Sequence, residues 1–173
     1  MPSGPCRRWA PSGRSWSSSF FSQNFSESFF LAPILGGKVA LPAGDVPEPF
    51  VDAEDIADVA VAALTEDGHA GELYELTGPR LLTFAEAVGE ISRAAGRKVR
   101  YVPISTEEFA SALSQGGVPS EVTELTIYLF TKVLDGRNAH LTAGVRRALG
   151  REPKDFADYA RDTAITDVWT GAL

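Results

Sequence analysis

Apolar positions along this chain recur with two different periods, and the changes of period mark its elements. Phe21, Phe25 and Phe29 stand at i, i+4 and i+8, with Phe20 and Phe30 beside them and mostly polar residues between. That spacing predicts an amphipathic helix with an aromatic face, whose rings either pack into a core or line an apolar pocket. Lys38-Val39-Ala40-Leu41 reads as a short strand. Asp52 is placed to cap a helix, with Glu54 and Asp55 in the first turn, where the helix dipole favours anions. Ile56, Val59, Ala60, Ala63 and Leu64 form its inward stripe. Leu73 to Leu76 reads as a strand stopped by Thr77-Gly78-Pro79.

Thr83 with Glu86 three residues later forms a capping box, opening a helix that buries Phe84, Val88 and Ile91 and stops at Gly96. Val99 to Ile104 is a further strand, and Ser105 with Glu108 a second capping box. The order strand–helix–strand–helix–strand–helix predicts an α/β class. The rest reads as helix: Glu121 to Leu134 with Val122, Leu125, Leu129 and Val133 on one face, Val145 to Leu149 stopped by Gly150, and a last helix presenting Phe156, Tyr159 and Ala160.

The 173 residues are enough for one buried core. A formal net charge of −7 argues against nucleic acid, which is held chiefly by Lys and Arg on phosphates. Cys6 is the only cysteine, and His69 and His140 lack ligand-like spacing, so neither an intrachain disulfide nor a metal site is expected. Charge is uneven: every acid lies at or beyond Glu27, whereas Arg7, Arg8 and Arg14 precede it. Residues 1–18, rich in Pro, Ser, Gly and Arg, show neither period and are expected to be a disordered or non-native segment. Residues 19–173 then form the folded unit. Arg7-Arg8 is followed by no continuous apolar stretch of signal length, and no transmembrane span is present, so a cytoplasmic location with no membrane partner is expected.

Asp52 and Asp55 could serve as paired carboxylates, but capping and the helix dipole explain both. His140 reads as a solvated loop histidine. Asn24 is a polar amide among phenylalanines; if buried it needs a partner, either protein backbone or a ligand. No glycine fingerprint of the dinucleotide type is present: Gly36-Gly37 lies between a helix and a strand, and Gly116-Gly117 between two helices, whereas a phosphate cradle needs glycines between a strand and a helix.

Several stretches together resemble the C-terminal half of the NmrA-like proteins, atypical short-chain dehydrogenases. They are Phe21-Ser22-Gln23-Asn24-Phe25-Ser26-Glu27, Leu41-Pro42-Ala43-Gly44-Asp45, Pro49-Phe50-Val51-Asp52 with Asp55-Ile56-Ala57, Tyr74-Glu75-Leu76-Thr77-Gly78-Pro79, Leu82-Thr83-Phe84-Ala85-Glu86 and Asp155-Phe156-Ala157-Asp158-Tyr159-Ala160. Within that family the chain is similar to bacterial relatives of the ergot-alkaloid (agroclavine or festuclavine) dehydrogenases and to NAD(P)H-dependent quinone reductases.

The resemblance implies the C-terminal part of a Rossmann-like NAD(P)-binding fold with a small substrate lobe, the glycine-loop half being absent. It implies NAD(P)H as cofactor and a small imine, enone or quinone-like substrate, with Phe21, Asn24, Phe25 and Phe50 as substrate-pocket candidates and Asn24 also as a cofactor contact. Tyr128 and Lys132 match the Tyr-x-x-x-Lys pair of many short-chain dehydrogenases, but they fall far downstream of its usual place and read as coincidence. Without the helix N-terminus that anchors phosphate, the chain alone is expected to bind dinucleotide poorly, to be inactive, and to expose apolar surface that favours homo-oligomers. A cofactor-sensing or protein-binding module is the other reading.

Overall fold

A computed structural model describes residues 20–171, so the expectations for residues 1–18 and Cys6 lie outside the described residues. Two strands, β1 (Lys38–Leu41) and β2 (Arg100–Pro103), pair in parallel with Lys38 opposite Arg100 and Leu41 opposite Pro103. Parallel strands need a long crossover. It carries α2 (Ala53–Thr65) and α3 (Phe84–Ala94), while the short α1 (Leu31–Leu35) leads into β1. After β2 come α4 (Thr106–Gln115) and α5 (Ser120–Tyr128), then a π-helical turn, Leu129–Val133. The chain closes with α6 (Gly144–Leu149) and α7 (Phe156–Ala164). The whole is α/β.

Helix starts follow local chemistry. The Asp52 carboxylate accepts from Glu54 N at 2.8 Å, and Thr83–Glu86 and Ser105–Glu108 form reciprocal capping boxes. Asp155 caps α7 by accepting from Ala157 N.

The aromatic run does not form the single helix that its spacing predicts. Ser22 N donates to Val51 O and Val51 N donates to Phe20 O, so the chain enters extended. Only a 3₁₀ turn, Ser22–Phe25, follows before α1 begins at Leu31. Backbone groups committed to a strand-like ladder cannot also close a helical turn. The rings therefore divide. Phe25 and Phe30 are fully buried, whereas Phe21 and Phe29 keep 43% and 44% of their surface. Phe25 and Phe84 anchor an aromatic core with Phe20, Phe30, Phe50 and Phe156, in which Phe50 and Phe84 meet edge to face at 5.3 Å. That geometry suits the ring quadrupoles.

Three further expectations change. Leu73 to Leu76 is not a strand, for no strand among the described residues pairs with it. Its carbonyls are met by side chains instead: Thr142 Oγ1 donates to Glu75 O and Arg147 to Leu73 O. The buried stripe of α2 is Asp55, Val59 and Ala62, leaving Leu64 86% exposed. Arg151 and the Lys154 amide draw the Asp55 carboxylate inward at 2.5 and 2.7 Å and set the rotation of the helix. On α5 the first half of the expected face lies outward, with Val122 and Leu125 exposed, whereas Leu129 packs against the core and Val133 is half-buried. The π turn, where Leu134 N donates to Leu129 O, shifts the inward positions to Phe130 and Leu134.

Two glycines are fixed by close approach rather than by helix termination. A Cβ on Gly78 would lie 1.9 Å from Phe50 O, and one on Gly144 2.0 Å from Glu75 O. Only hydrogen fits at either place.

Candidate functional site

The Phe21–Asn24 segment is fixed on several sides. Its backbone pairs with Val51, as above. Gln23 then clamps the start of α2: its Nε2 donates to Asp52 Oδ1 at 2.8 Å, and its Oε1 accepts from Ala53 N at 2.9 Å. Behind the turn, Trp169 Nε1 donates to Phe25 O and Tyr159 Oη to Ser26 Oγ, both at 2.8 Å. These bonds bring residues of the last described segments against the first. Burial pushes the Tyr159 phenol up to about 12, so it acts as a neutral donor.

The four pocket candidates separate within this frame. Phe21 is exposed, and Asn24 is half-buried with a side-chain amide that makes no hydrogen bond among the described residues. The Asn24 backbone is engaged, its carbonyl accepting from Phe30 N at 3.1 Å. Phe25 and Phe50, 0% and 2% exposed, are core rings 5.5 Å apart that back the turn rather than front any solvent-facing surface.

Beyond these four, Glu48 is fully buried, and neither carboxylate oxygen has a hydrogen-bond partner. Its backbone pairs with Leu82 in both directions. Loss of water, and secondarily repulsion by Asp135, push its carboxyl up to about 7. Arg80 braces the far side of the core, donating to Asp155 and to Glu90 at 2.6 Å and so tying α3 to the cap of α7. Neither Glu48 nor the Gln23 clamp is signalled by periodicity. The one hint of Glu48 is a carboxylate set between Pro47 and Pro49 just before Phe50.

Tyr128 and Lys132 are both exposed at the junction of α5 and the π turn. His140 is exposed as read, and its Nε2 meets Glu75 at 2.9 Å. Asp55 is an ion-pair anchor rather than a cap. Among the described residues no group of three His, Cys, Asp or Glu side chains is arranged to hold a metal ion, and no helix is long and apolar enough to cross a membrane. For a dinucleotide, the residues present do not fit the phosphates: Gly36-Gly37 follows α1 and Gly116-Gly117 joins α4 to α5. A phosphate cradle instead lies between a strand and the N-terminus of a helix.

No protein-family model matches the chain. It is 34% identical to the uncharacterized oxidoreductase YesF of Bacillus subtilis over 88% of this chain and 54% of that protein. To the NAD(P)H azoreductase of Xenophilus azovorans it is 35% identical, over 87% and 53% of the two lengths. Its fold superposes on the triphenylmethane reductase of Citrobacter sp., a structure complexed with NADP(H), with a TM-score of 0.72 at 24% identity, covering 85% of this chain and 51% of the other. The chain thus spans about half the length of the curated relatives it matches. By sequence and fold together, it belongs with the NmrA-like NAD(P)-binding reductases and corresponds to their C-terminal part.

Proposed function

We propose that this chain supplies the substrate-side half of an NAD(P)H-dependent oxidoreductase, whose intact form moves a hydride between a nicotinamide and a small imine, enone or quinone-like molecule. The observation that supports this reading is the Phe21–Asn24 turn. An exposed ring lies close in sequence to an unpartnered amide, on backbone held by Val51, Gln23 and Trp169. A flat conjugated substrate can stack on the ring. The amide can donate to its carbonyl or accept from its N–H. The rigid mounting keeps both groups in place without an ordering cost at binding. The nicotinamide supplies the hydride when bound; the residues of this chain orient the acceptor and shield one side of it from water.

The test joins residues 20–171 to the glycine-loop half of the Xenophilus azovorans azoreductase and follows NADPH oxidation with quinones, enones and imines. The chain alone is expected to leave NADPH fluorescence and absorbance unchanged, and the joined protein to oxidise NADPH. Asn24→Ala is expected to lower kcat/KM by about tenfold, the loss of one substrate hydrogen bond. Phe21→Ala is expected to act mainly through KM. Full activity in both variants would remove the turn from the site. NADPH binding without turnover on any substrate class would instead support a cofactor-sensing module.

A further inference from the structure

The residues on either side of Asn24 are each held from the far end of the chain. After it, the Phe25 carbonyl accepts from the indole of Trp169, which is fully buried. Trp169 is itself pinned, because Arg97 donates through one nitrogen to Trp169 O and through the other to Leu35 O, both at 2.8 Å. Before it, the Gln23 carbonyl closes the turn by accepting from Ser26 N at 3.0 Å and Glu27 N at 2.8 Å. Ser26 is buried, and its hydroxyl accepts from Tyr159 Oη at 2.8 Å while reaching Gln23 O at 3.4 Å. One hydroxyl thus receives a hydrogen bond from α7 and turns its own toward the residue preceding Asn24.

Packing does not require these donors. The Tyr159 ring meets Phe156 at 5.5 Å and Trp169 at 6.1 Å between centroids, contacts that a phenylalanine would keep. A buried hydroxyl or indole N–H needs an acceptor, but its identity is open. Here both donors converge on one turn, and they flank a side chain whose amide is free among the described residues. A four-residue 3₁₀ turn has few internal bonds of its own, so bonds from outside fix where its side chains stand.

We propose that Tyr159 and Trp169 are positioning residues for the reaction, setting the distance and angle at which the Asn24 amide meets the substrate. The inference rests on the reading of the Phe21–Asn24 turn as substrate-facing. Tyr159 acts through Ser26 and Gln23, and Trp169 acts through Phe25. A misplaced hydrogen-bonding group costs rate more than binding, because orientation counts most at the transition state.

Two readouts separate the positioning bonds from the site they serve. In the full 173-residue chain, ¹⁵N relaxation of Tyr159→Phe and of Ser26→Ala is expected to show lowered order at the Asn24 amides, with α3 unchanged. In the joined reductase, Tyr159→Phe is expected to lower kcat about fivefold, the weight of one neutral hydrogen bond, with KM little changed. Ser26→Ala should do the same, and the two together no more than either alone. In an Asn24→Ala background Tyr159→Phe should cost nothing further, a non-additivity that a purely stabilising role would not produce. Unchanged order at Asn24 in both variants, or losses that add to that of Asn24→Ala, overturns the proposal while leaving the site in place. Lowered order at Asn24 with kcat unchanged overturns the proposal and the reading of the turn together.

Discussion

A carboxyl group that loses its water without gaining a partner holds its proton more tightly, and Glu48 is so placed. Its ordinary value of 4.5 rises to about 7 in the fold. Between those values the folded state binds more protons than the unfolded chain. The stability contributed by this group is therefore complete below about pH 4.5, declines as pH rises toward about 7, and stays low above. The loss is on the order of 3 kcal/mol. Glu48→Gln removes the titrating group while keeping its shape. Urea unfolding at about pH 5 and about pH 8 should show wild type losing stability across that window and the variant losing much less. Equal losses in both would refute this account. Sequence reading passes over Glu48 because periodicity follows apolar residues, and an acid between prolines looks like a solvated loop. Phe21 and Asn24, by contrast, emerge from the motif around them, although the aromatic spacing assigns that motif the wrong local conformation.

Elements were legible where their chemistry is local. The caps at Asp52, Thr83 and Ser105 satisfy amides two or three residues away, so the sequence carries both partners side by side. Faces were not legible where a distant residue turns the element. Asp55 is drawn in by Arg151, 96 positions downstream, and the π turn re-aims everything after Leu129. Leu73 to Leu76 has strand composition, but among the described residues no neighbouring strand completes a ladder with it. The clamp between the 3₁₀ turn and α2 makes a test at this scale. Gln23→Ala removes the acceptor of Ala53 N and one donor to Asp52, and should cost about 1–2 kcal/mol. Hydrogen exchange should quicken first at the amides of residues 22–26, ahead of α3. A uniform acceleration across the molecule would mean that the clamp supports global stability rather than the placement of this turn.

For the molecule as a whole, the α/β class follows from the alternation of apolar runs and caps, although one of the three expected strands does not form. Apolar side chains stand outside the core on two helices: Val61 and Leu64 on α2, and Val122, Leu125 and Tyr128 on α5. Clustered apolar surface favours association. We expect the chain to self-associate, with light scattering after gel filtration giving a mass above 18.5 kDa that falls toward that value in Leu64→Lys/Leu125→Lys. A concentration-independent monomer in wild type would contradict this.

The bond from the Trp169 indole to the Phe25 carbonyl joins positions 144 residues apart, and Tyr159 reaches Ser26 across 133. While the polypeptide is being made, the aromatic centre of the molecule has its first rings early and its lid last. Contacts of such long sequence separation form slowly, because a large loop must close before they can help. The Phe25 ring can pack on Phe30, Phe50 and Phe84 before Trp169 is made, but the Phe25 carbonyl gains its indole donor only afterwards. The setting of this turn therefore depends on residues more than a hundred positions further along the chain.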